Sequence, residues 1–165
     1  MDRIVVADDH PLFRAALKSA VEKASEGAQI VECASLAEAQ TALGAAPVDL
    51  LLLDLKLSDV DGMTGLTLIR ADHPAVPVAV VSASEEASVV RHVQGLGAAG
   101  FIPKSAALPQ MVAAIGAALL EGTGHCDPCS KMEAALGRAD VIVLDHHQGG
   151  ETLPPVLAVV NPNRA

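Results

Sequence analysis

The stretch "DLLLLDL", residues 49–55, decides the fold of this chain. Its four consecutive leucines leave no polar side chain for a solvated face, so both faces of the strand that they form must be buried. A strand of this kind lies inside a parallel sheet that helices cover on both sides. Because the leucines are followed by Asp54, the strand also delivers a carboxylate to its carboxyl end.

Apolar runs and amphipathic segments alternate on either side of this strand. The predicted strands are 3–8, 29–34, 49–55, 76–83 and 98–103, and the predicted helices are 11–24, 36–43, 64–72, 85–94 and 106–121. We expect Ser35 to cap the second helix and Gly44 to end it. Five such units predict an α/β fold, in which a doubly wound five-stranded parallel sheet is joined by right-handed crossovers.

Composition excludes several classes of protein. The chain has 165 residues and a net charge of −9, which disfavours non-specific binding to nucleic acid or to an anionic membrane. No apolar run approaches the roughly 20 residues that span a bilayer, and the acidic start differs from a signal peptide. We therefore expect a cytoplasmic protein, whose three cysteines are free thiols.

Polar side chains lie where the predicted strands end. Asp8 and Asp9 end the first strand, and Asp54 ends the third. Ser82 ends the fourth strand, and Lys104 follows the fifth. Because ligands of doubly wound sheets bind beyond the carboxyl ends of the strands, these five side chains are predicted to converge on one pocket.

The chemistry of these residue types points to phosphoryl transfer. Three neighbouring carboxylates repel one another unless a cation lies among them, and Mg²⁺ is the simplest hard divalent ion with oxygen ligands. The Lys104 ammonium suits a phosphoryl group, and one carboxylate can serve as the nucleophile. Taken singly, each residue has a plainer interpretation as a solvated turn, a loop cap or a surface lysine. Their joint placement at the strand ends favours the site.

Four motifs in this order carry a resemblance to a known family. They are "ADDHPLFRAAL", "VDLLLLDLKLSDVDG", "VVSAS" and "GAAGFIPKSA". With them, residues 1–121 closely resemble the receiver domain of two-component response regulators, within the NarL/FixJ-like branch. The resemblance implies a flavodoxin-like strand order of 2-1-3-4-5. One departure is the loop "SDVDGMTG", which lacks the Met-Pro pair that many receivers carry after the phosphoacceptor.

The resemblance also implies roles for the predicted site. Asp54 would be the phosphoacceptor, and Asp8 and Asp9 would hold Mg²⁺ together with it. The main-chain carbonyl of Lys56 would be a further metal ligand, and Lys104 would contact the phosphate. The chain would then be a signalling domain that is phosphorylated by a sensor histidine kinase, and not an enzyme with a separate substrate.

Two further residues would read the phosphate. By the same resemblance, Ser82 is the switch hydroxyl and Phe101 the switch aromatic, which turns inward when Ser82 moves towards the phosphoryl group. The change would bias the face made by the fourth helix, fifth strand and fifth helix, which in the family commonly mediates dimerisation or partner contacts.

Other candidate ligands carry weaker signals. The histidines His10, His73 and His92 show no ligand spacing, and we interpret them as surface or structural residues. The stretch "GHCDPC", residues 124–129, contains His125, Cys126 and Cys129. A single C-x-x-C is a weak zinc pattern, and the alternative is an unstructured linker.

Residues 122–165 form an atypical tail. They contain three basic and five acidic residues and no helix-turn-helix pattern, so we expect no direct DNA binding. The stretch "VIVLDHH", with "LPPVLAVVNPNR" after it, resembles a fragment of DHH-family, RecJ-type single-strand DNA exonucleases. In that family Asp145, His146 and His147 would bind a catalytic divalent metal such as Mn²⁺. A metal-dependent phosphoesterase fragment is thus the alternative function, although the family's other motifs are absent and we expect only weak, non-catalytic metal binding.

Overall fold

The computed structural model describes residues 1–122 and 159–160. The strands are β1 (Arg3–Ala7), β2 (Gln29–Cys33), β3 (Leu50–Asp54), β4 (Val78–Ser82), β5 (Gly100–Pro103) and β6 (Val159–Val160). The helices are α1 (Pro11–Ala24), α2 (Leu36–Ala45), α3 (Gly62–Asp72), α4 (Ala87–Gly95) and α5 (Leu108–Gly122). All ten elements predicted from the sequence are present. No helix in these two ranges is long and apolar enough to cross a bilayer.

The sheet has the order β2-β1-β3-β4-β5-β6. The first five strands in this order are parallel, which confirms the predicted order 2-1-3-4-5. The sheet is extended beyond that prediction by β6, which pairs antiparallel with β5 through Phe101 and Val159 and through Gly100 and Val160.

Helices cover both faces of the sheet and create two apolar layers. Leu51 and Leu53 of β3 point into the layer beneath α2, α3 and α4. Leu50 and Leu52 point into the opposite layer, beneath α1 and α5. All four leucines are buried, which explains why β3 has no polar side chain before Asp54. The central position of this strand places Asp54 at the middle of the carboxyl edge.

The second helix begins as predicted and ends later than predicted. The hydroxyl oxygen of Ser35 accepts a hydrogen bond from the main-chain N–H of Glu38, as expected for an N-cap. The prediction that Gly44 ends α2 is wrong, because the helix continues to Ala45. A glycine ends a helix readily when it adopts a positive φ, and Gly44 does not.

A carboxylate from the loop after β3 gives α2 a second cap. Asp59 accepts hydrogen bonds from the main-chain N–H groups of Leu36, at 3.0 Å, and Ala37, at 3.1 Å. The bond from Leu36 is the main cause of a lowered pKa at Asp59; burial opposes it, and the bond from Ala37 adds to it. This contact ties the loop that follows Asp54 to a helix on one face of the sheet.

Asp59→Ala should reduce the free energy of unfolding at neutral pH by about 1 kcal/mol, the usual effect of losing a helix cap. A carboxylate with a lowered folded-state pKa contributes stability above its ordinary value of 3.8, and that contribution is lost as the pH falls through the folded-state value. Urea denaturation as a function of pH should therefore show a difference from wild type that is constant at neutral pH and shrinks below 3.8.

Asp61→Ala is the matched control for this measurement. Asp61 lies in the same loop, at the N-cap position of α3, and makes no side-chain capping hydrogen bond. Equal destabilisation by the two substitutions would contradict the capping role of Asp59.

Candidate functional site

Polar side chains meet at the carboxyl edge of the sheet. Asp8, Asp54 and Ser82 are the buried polar residues of the part of the chain that the structure describes. They follow or end the adjacent strands β1, β3 and β4, and Lys104 follows β5. The parallel arrangement brings these ends to the same side, so the structure places Asp8, Asp54, Ser82 and Lys104 at one edge of the sheet.

Lys104 joins two of the carboxylates. Its Nζ atom donates a hydrogen bond of 2.9 Å to Oδ2 of Asp54 and lies 3.0 Å from Oδ2 of Asp8. The same atom lies 4.7 Å from the ring centroid of Phe13, a cation–π contact from α1. Burial lowers the pKa of Lys104, but the ion pairs with Asp54 and Asp8 outweigh it, and the net shift is upward. The lysine is therefore a fixed positive charge at neutral pH.

Main-chain donors hold the other oxygens of the same two carboxylates. Oδ1 of Asp54 accepts a hydrogen bond of 3.0 Å from the N–H of Lys56, and Oδ1 of Asp8 accepts one of 2.7 Å from the N–H of His10. The Arg14 guanidinium donates to the main-chain oxygen of Asp8 at 2.6 Å. The loops after β1 and β3 therefore orient the carboxylates before any ligand arrives.

The donor set fits a divalent cation. Asp8, Asp9, His10 and Asp54 each offer one ligand atom, and these atoms lie within 4.8 Å of one another. Oδ2 of Asp8 and Oδ1 of Asp9 are buried without a hydrogen-bond partner, although Lys104 and His10 lie within ion-pairing distance of them. Buried carboxylate oxygens without donors are costly, and a hard divalent ion such as Mg²⁺ would satisfy them.

His10 is a site residue that the sequence analysis missed. Its Nδ1 atom lies 2.9 Å from Oδ1 of Asp9, 3.2 Å from Oδ1 of Asp8 and 3.8 Å from Oδ2 of Asp54. The side chain is 63% exposed, as expected for a surface residue. It nevertheless contacts the carboxylates, which the interpretation from the sequence did not include. The available signal was its position directly after the acidic pair and before Pro11. His73 and His92 are outside the group of candidate ligands.

A cleft of about 500 Å³ opens beside the carboxylates. Its lining includes Asp9, Lys56, Ser82 and Ser84. The Ser82 hydroxyl oxygen accepts a hydrogen bond of 3.1 Å from the N–H of Ser84, so it lies at the start of the loop between β4 and α4. Asp8, Asp54 and Lys104 are not among the residues that line the cleft, so it lies beside these three side chains at the same edge of the sheet.

The other predicted site residues lie elsewhere. Phe101 is 1% exposed and packs in the layer beneath α2, α3 and α4, and it is not among the residues that line the cleft. The tail candidates Asp145, His146 and His147 lie outside the described residues, as does the stretch at 124–129.

The fold and the site define an α/β domain with an acidic cation pocket and a fixed lysine at its carboxyl edge. Residues 4–116 match the family model of the response regulator receiver domain. The chain belongs to that family.

Similar proteins agree with this assignment. The glycerol metabolism activator of Pseudomonas putida is 38% identical over 129 residues, which are 78% of this chain and 58% of that protein. The response regulator GacA of Pseudomonas aeruginosa is 31% identical over 116 residues, 70% of this chain and 54% of that protein. The chain thus spans about half the length of these curated relatives.

Solved structures of similar proteins support the same family assignment. The receiver domain of the putative response regulator NarL from Mycobacterium tuberculosis superimposes with a TM-score of 0.64 at 31% identity, covering 75% of this chain and 98% of that one. A LuxR family DNA-binding response regulator from Silicibacter pomeroyi, also 31% identical, has a TM-score of 0.63 and covers 73% of this chain and 93% of that one.

Lys104→Met should destabilise the protein in the absence of divalent cations. The substitution leaves Asp8 and Asp54 as buried charges without their ammonium partner, which costs about 3 kcal/mol. Mg²⁺ should restore part of this loss, because the ion compensates the same carboxylates. Urea denaturation with and without Mg²⁺ measures both effects. Lys23→Met, at an exposed position of α1, is the control; a Lys104→Met variant as stable as this control would refute the role of Lys104.

Proposed function

We propose that this chain is a phosphoacceptor switch, in which Asp54 receives a phosphoryl group from a sensor histidine kinase in a Mg²⁺-dependent step. One observation carries the proposal. Asp54 is buried at the end of the central strand, with one oxygen bonded to the Lys104 ammonium and the other to the main-chain N–H of Lys56. Membership of the receiver domain family supports the same conclusion.

The reaction is an in-line transfer. A carboxylate oxygen of Asp54 attacks phosphorus and forms a P–O bond, while the P–N bond to the donor histidine breaks. The electron pair of that bond stays on the histidine nitrogen, which takes up a proton. Lys104, already beside Asp54, is placed to bind the transferred phosphoryl oxygens.

The Mg²⁺ ion would be held by the carboxylates of Asp8, Asp9 and Asp54, with the main-chain carbonyl of Lys56 as a further ligand. Mg²⁺ bound there supplies positive charge to the equatorial oxygens of the phosphoryl group. The family implies this set, and the two buried carboxylate oxygens without hydrogen-bond partners support it.

Ser82 is proposed to read the phosphate. Phosphorylation adds strong acceptor oxygens beside β4, and the Ser82 hydroxyl can donate to one of them. Because Ser82 also bonds to Ser84, this movement would pull the loop that leads into α4. Phe101, the proposed switch aromatic, is already buried, so phosphorylation would stabilise a ring position that is already occupied instead of drawing the ring inward.

Phosphorylation would change the face formed by α4, β5 and α5. The changed face would then form a homodimer or bind another partner. We assign the receiver unit to residues 1–121 and the atypical tail to residues 122–165. The net charge of −9 disfavours non-specific binding of this chain to nucleic acid, and we place the receiver unit in the cytoplasm. Chemically the chain acts on itself, since the phosphoryl group is accepted and lost at Asp54.

Incubation with a small acyl phosphate should produce one phosphoryl adduct that depends on Mg²⁺, measured by intact mass. Asp54→Asn should abolish it, because an amide is not a usable nucleophile, and Asp9→Ala should slow its formation by weakening the metal site. Asp61→Asn, an exposed carboxylate of the same loop, should label like wild type. Equal labelling of wild type and Asp54→Asn would rule out Asp54 as the acceptor.

Ser82→Ala should keep the adduct and weaken the structural response, because the hydroxyl that couples phosphate to the loop is missing. Amide hydrogen exchange across residues 83–104, before and after phosphorylation, measures the response. Ser84→Ala keeps the main-chain donor to Ser82 and serves as the control. An undiminished response in Ser82→Ala would show that another group couples the site to the loop.

A further inference from the structure

We propose that His10 is a nitrogen ligand of the cation site, which gives this pocket a preference for divalent transition-metal ions over Mg²⁺. The inference rests on the proposed function, since it concerns the same carboxylate pocket. It adds a residue that the implied set of Asp8, Asp9, Asp54 and Lys56 does not contain.

Local sequence fixes the position of this histidine. Pro11 begins α1, and a residue that precedes proline is restricted to extended backbone. His10 accordingly has φ −93° and ψ 107°. Its main-chain N–H bonds to Oδ1 of Asp8, so the residue is tied to a buried carboxylate at the same time. These two constraints hold the backbone of His10 beside the carboxylates.

The spacing of the donor atoms matches a coordination sphere. Around an octahedral ion with bonds of about 2.1 Å, adjacent ligands lie about 3.0 Å apart. Nδ1 of His10 lies 2.9 Å from Oδ1 of Asp9 and 3.2 Å from Oδ1 of Asp8. It lies 3.8 Å from Oδ2 of Asp54. One ion could therefore contact the imidazole and all three carboxylates.

A second observation points to a ligand. Asp8 is fully buried, and its Oδ2 atom has only the Lys104 ammonium, 3.0 Å away, as a partner. Asp9 is partly buried, and its Oδ1 atom, which faces the imidazole at 2.9 Å, is buried without a hydrogen-bond partner. The charge balance agrees. Three carboxylates and one lysine leave two negative charges, which a single divalent ion neutralises when the imidazole is uncharged.

The imidazole nitrogen determines which divalent ions the site prefers. Mg²⁺ favours oxygen ligands, whereas an imidazole nitrogen favours the later first-row transition metals. If the imidazole were only a cationic partner of the carboxylates, it would compete with every divalent ion. The two roles therefore predict opposite changes when the imidazole is removed.

The test is calorimetric titration of the full chain with Co²⁺ and, separately, with Mg²⁺. His10→Ala should weaken Co²⁺ binding by at least about ten-fold, the low end of the effect of losing a metal-site partner, and change Mg²⁺ binding by less than two-fold. His92→Ala, an exposed histidine on α4, is the matched control. Asp9→Ala defines which part of the Co²⁺ binding belongs to the pocket. In proton NMR, the Co²⁺-shifted imidazole resonances assigned to the pocket should be absent from His10→Ala.

Unchanged Co²⁺ affinity in His10→Ala, or an affinity that rises for both ions, would overturn the inference. Neither result would affect the proposed function, because Mg²⁺ binding that is lost in Asp9→Ala, together with the Asp54 adduct, would still support it. If Asp9→Ala leaves the Mg²⁺ affinity unchanged, the carboxylate pocket is not the metal site, and both proposals fail.

Discussion

The ion pair that Lys104 makes with Asp8 and Asp54 is the constraint on which the rest of the pocket depends. Asp8 follows β1 and Asp54 ends β3; both carboxylates are buried, and the other buried side chains of these strands are apolar. Without a compensating charge they would repel each other at close range. The lysine comes from the end of β5, so it reaches both carboxylates only when β1, β3, β4 and β5 pair in order.

The sheet supplies that order through its two apolar layers. Alternating leucines of β3 fill both layers, so a shift of one residue in register would exchange the layers and move Asp54 away from the edge. The layer beneath α2, α3 and α4 also holds Phe101, which lies opposite Val80 of β4 in the register of the sheet. Packing of the core and geometry of the site are therefore determined together.

The loops at this edge are held by specific bonds. Asp59 joins the loop after β3 to the start of α2, and Arg14 of α1 binds the main chain at Asp8. Pro11 restricts the backbone at His10, directly after the acidic pair. A phosphoryl group or a cation would thus enter a site whose carboxylates are already oriented, which reduces the cost of ordering them on binding.

The sequence by itself determined the five strand and helix units, because apolar periodicity and turn residues act locally. It also predicted the parallel order of the strands, because its four motifs resemble a family whose strand order is known. It also determined that Asp8, Asp54, Ser82 and Lys104 share an edge, since parallel strands end on the same side. Side-chain direction and contacts between distant segments were decided by the tertiary structure. It alone showed that His10 faces the carboxylates, that Gly44 stays helical, that Phe101 is already buried, and that β6 adds to the edge of β5. The burial of Phe101, the pairing of β6 with β5 and the distance from His10 to Asp54 depend on which groups distant parts of the chain bring together, and no local pattern encodes that.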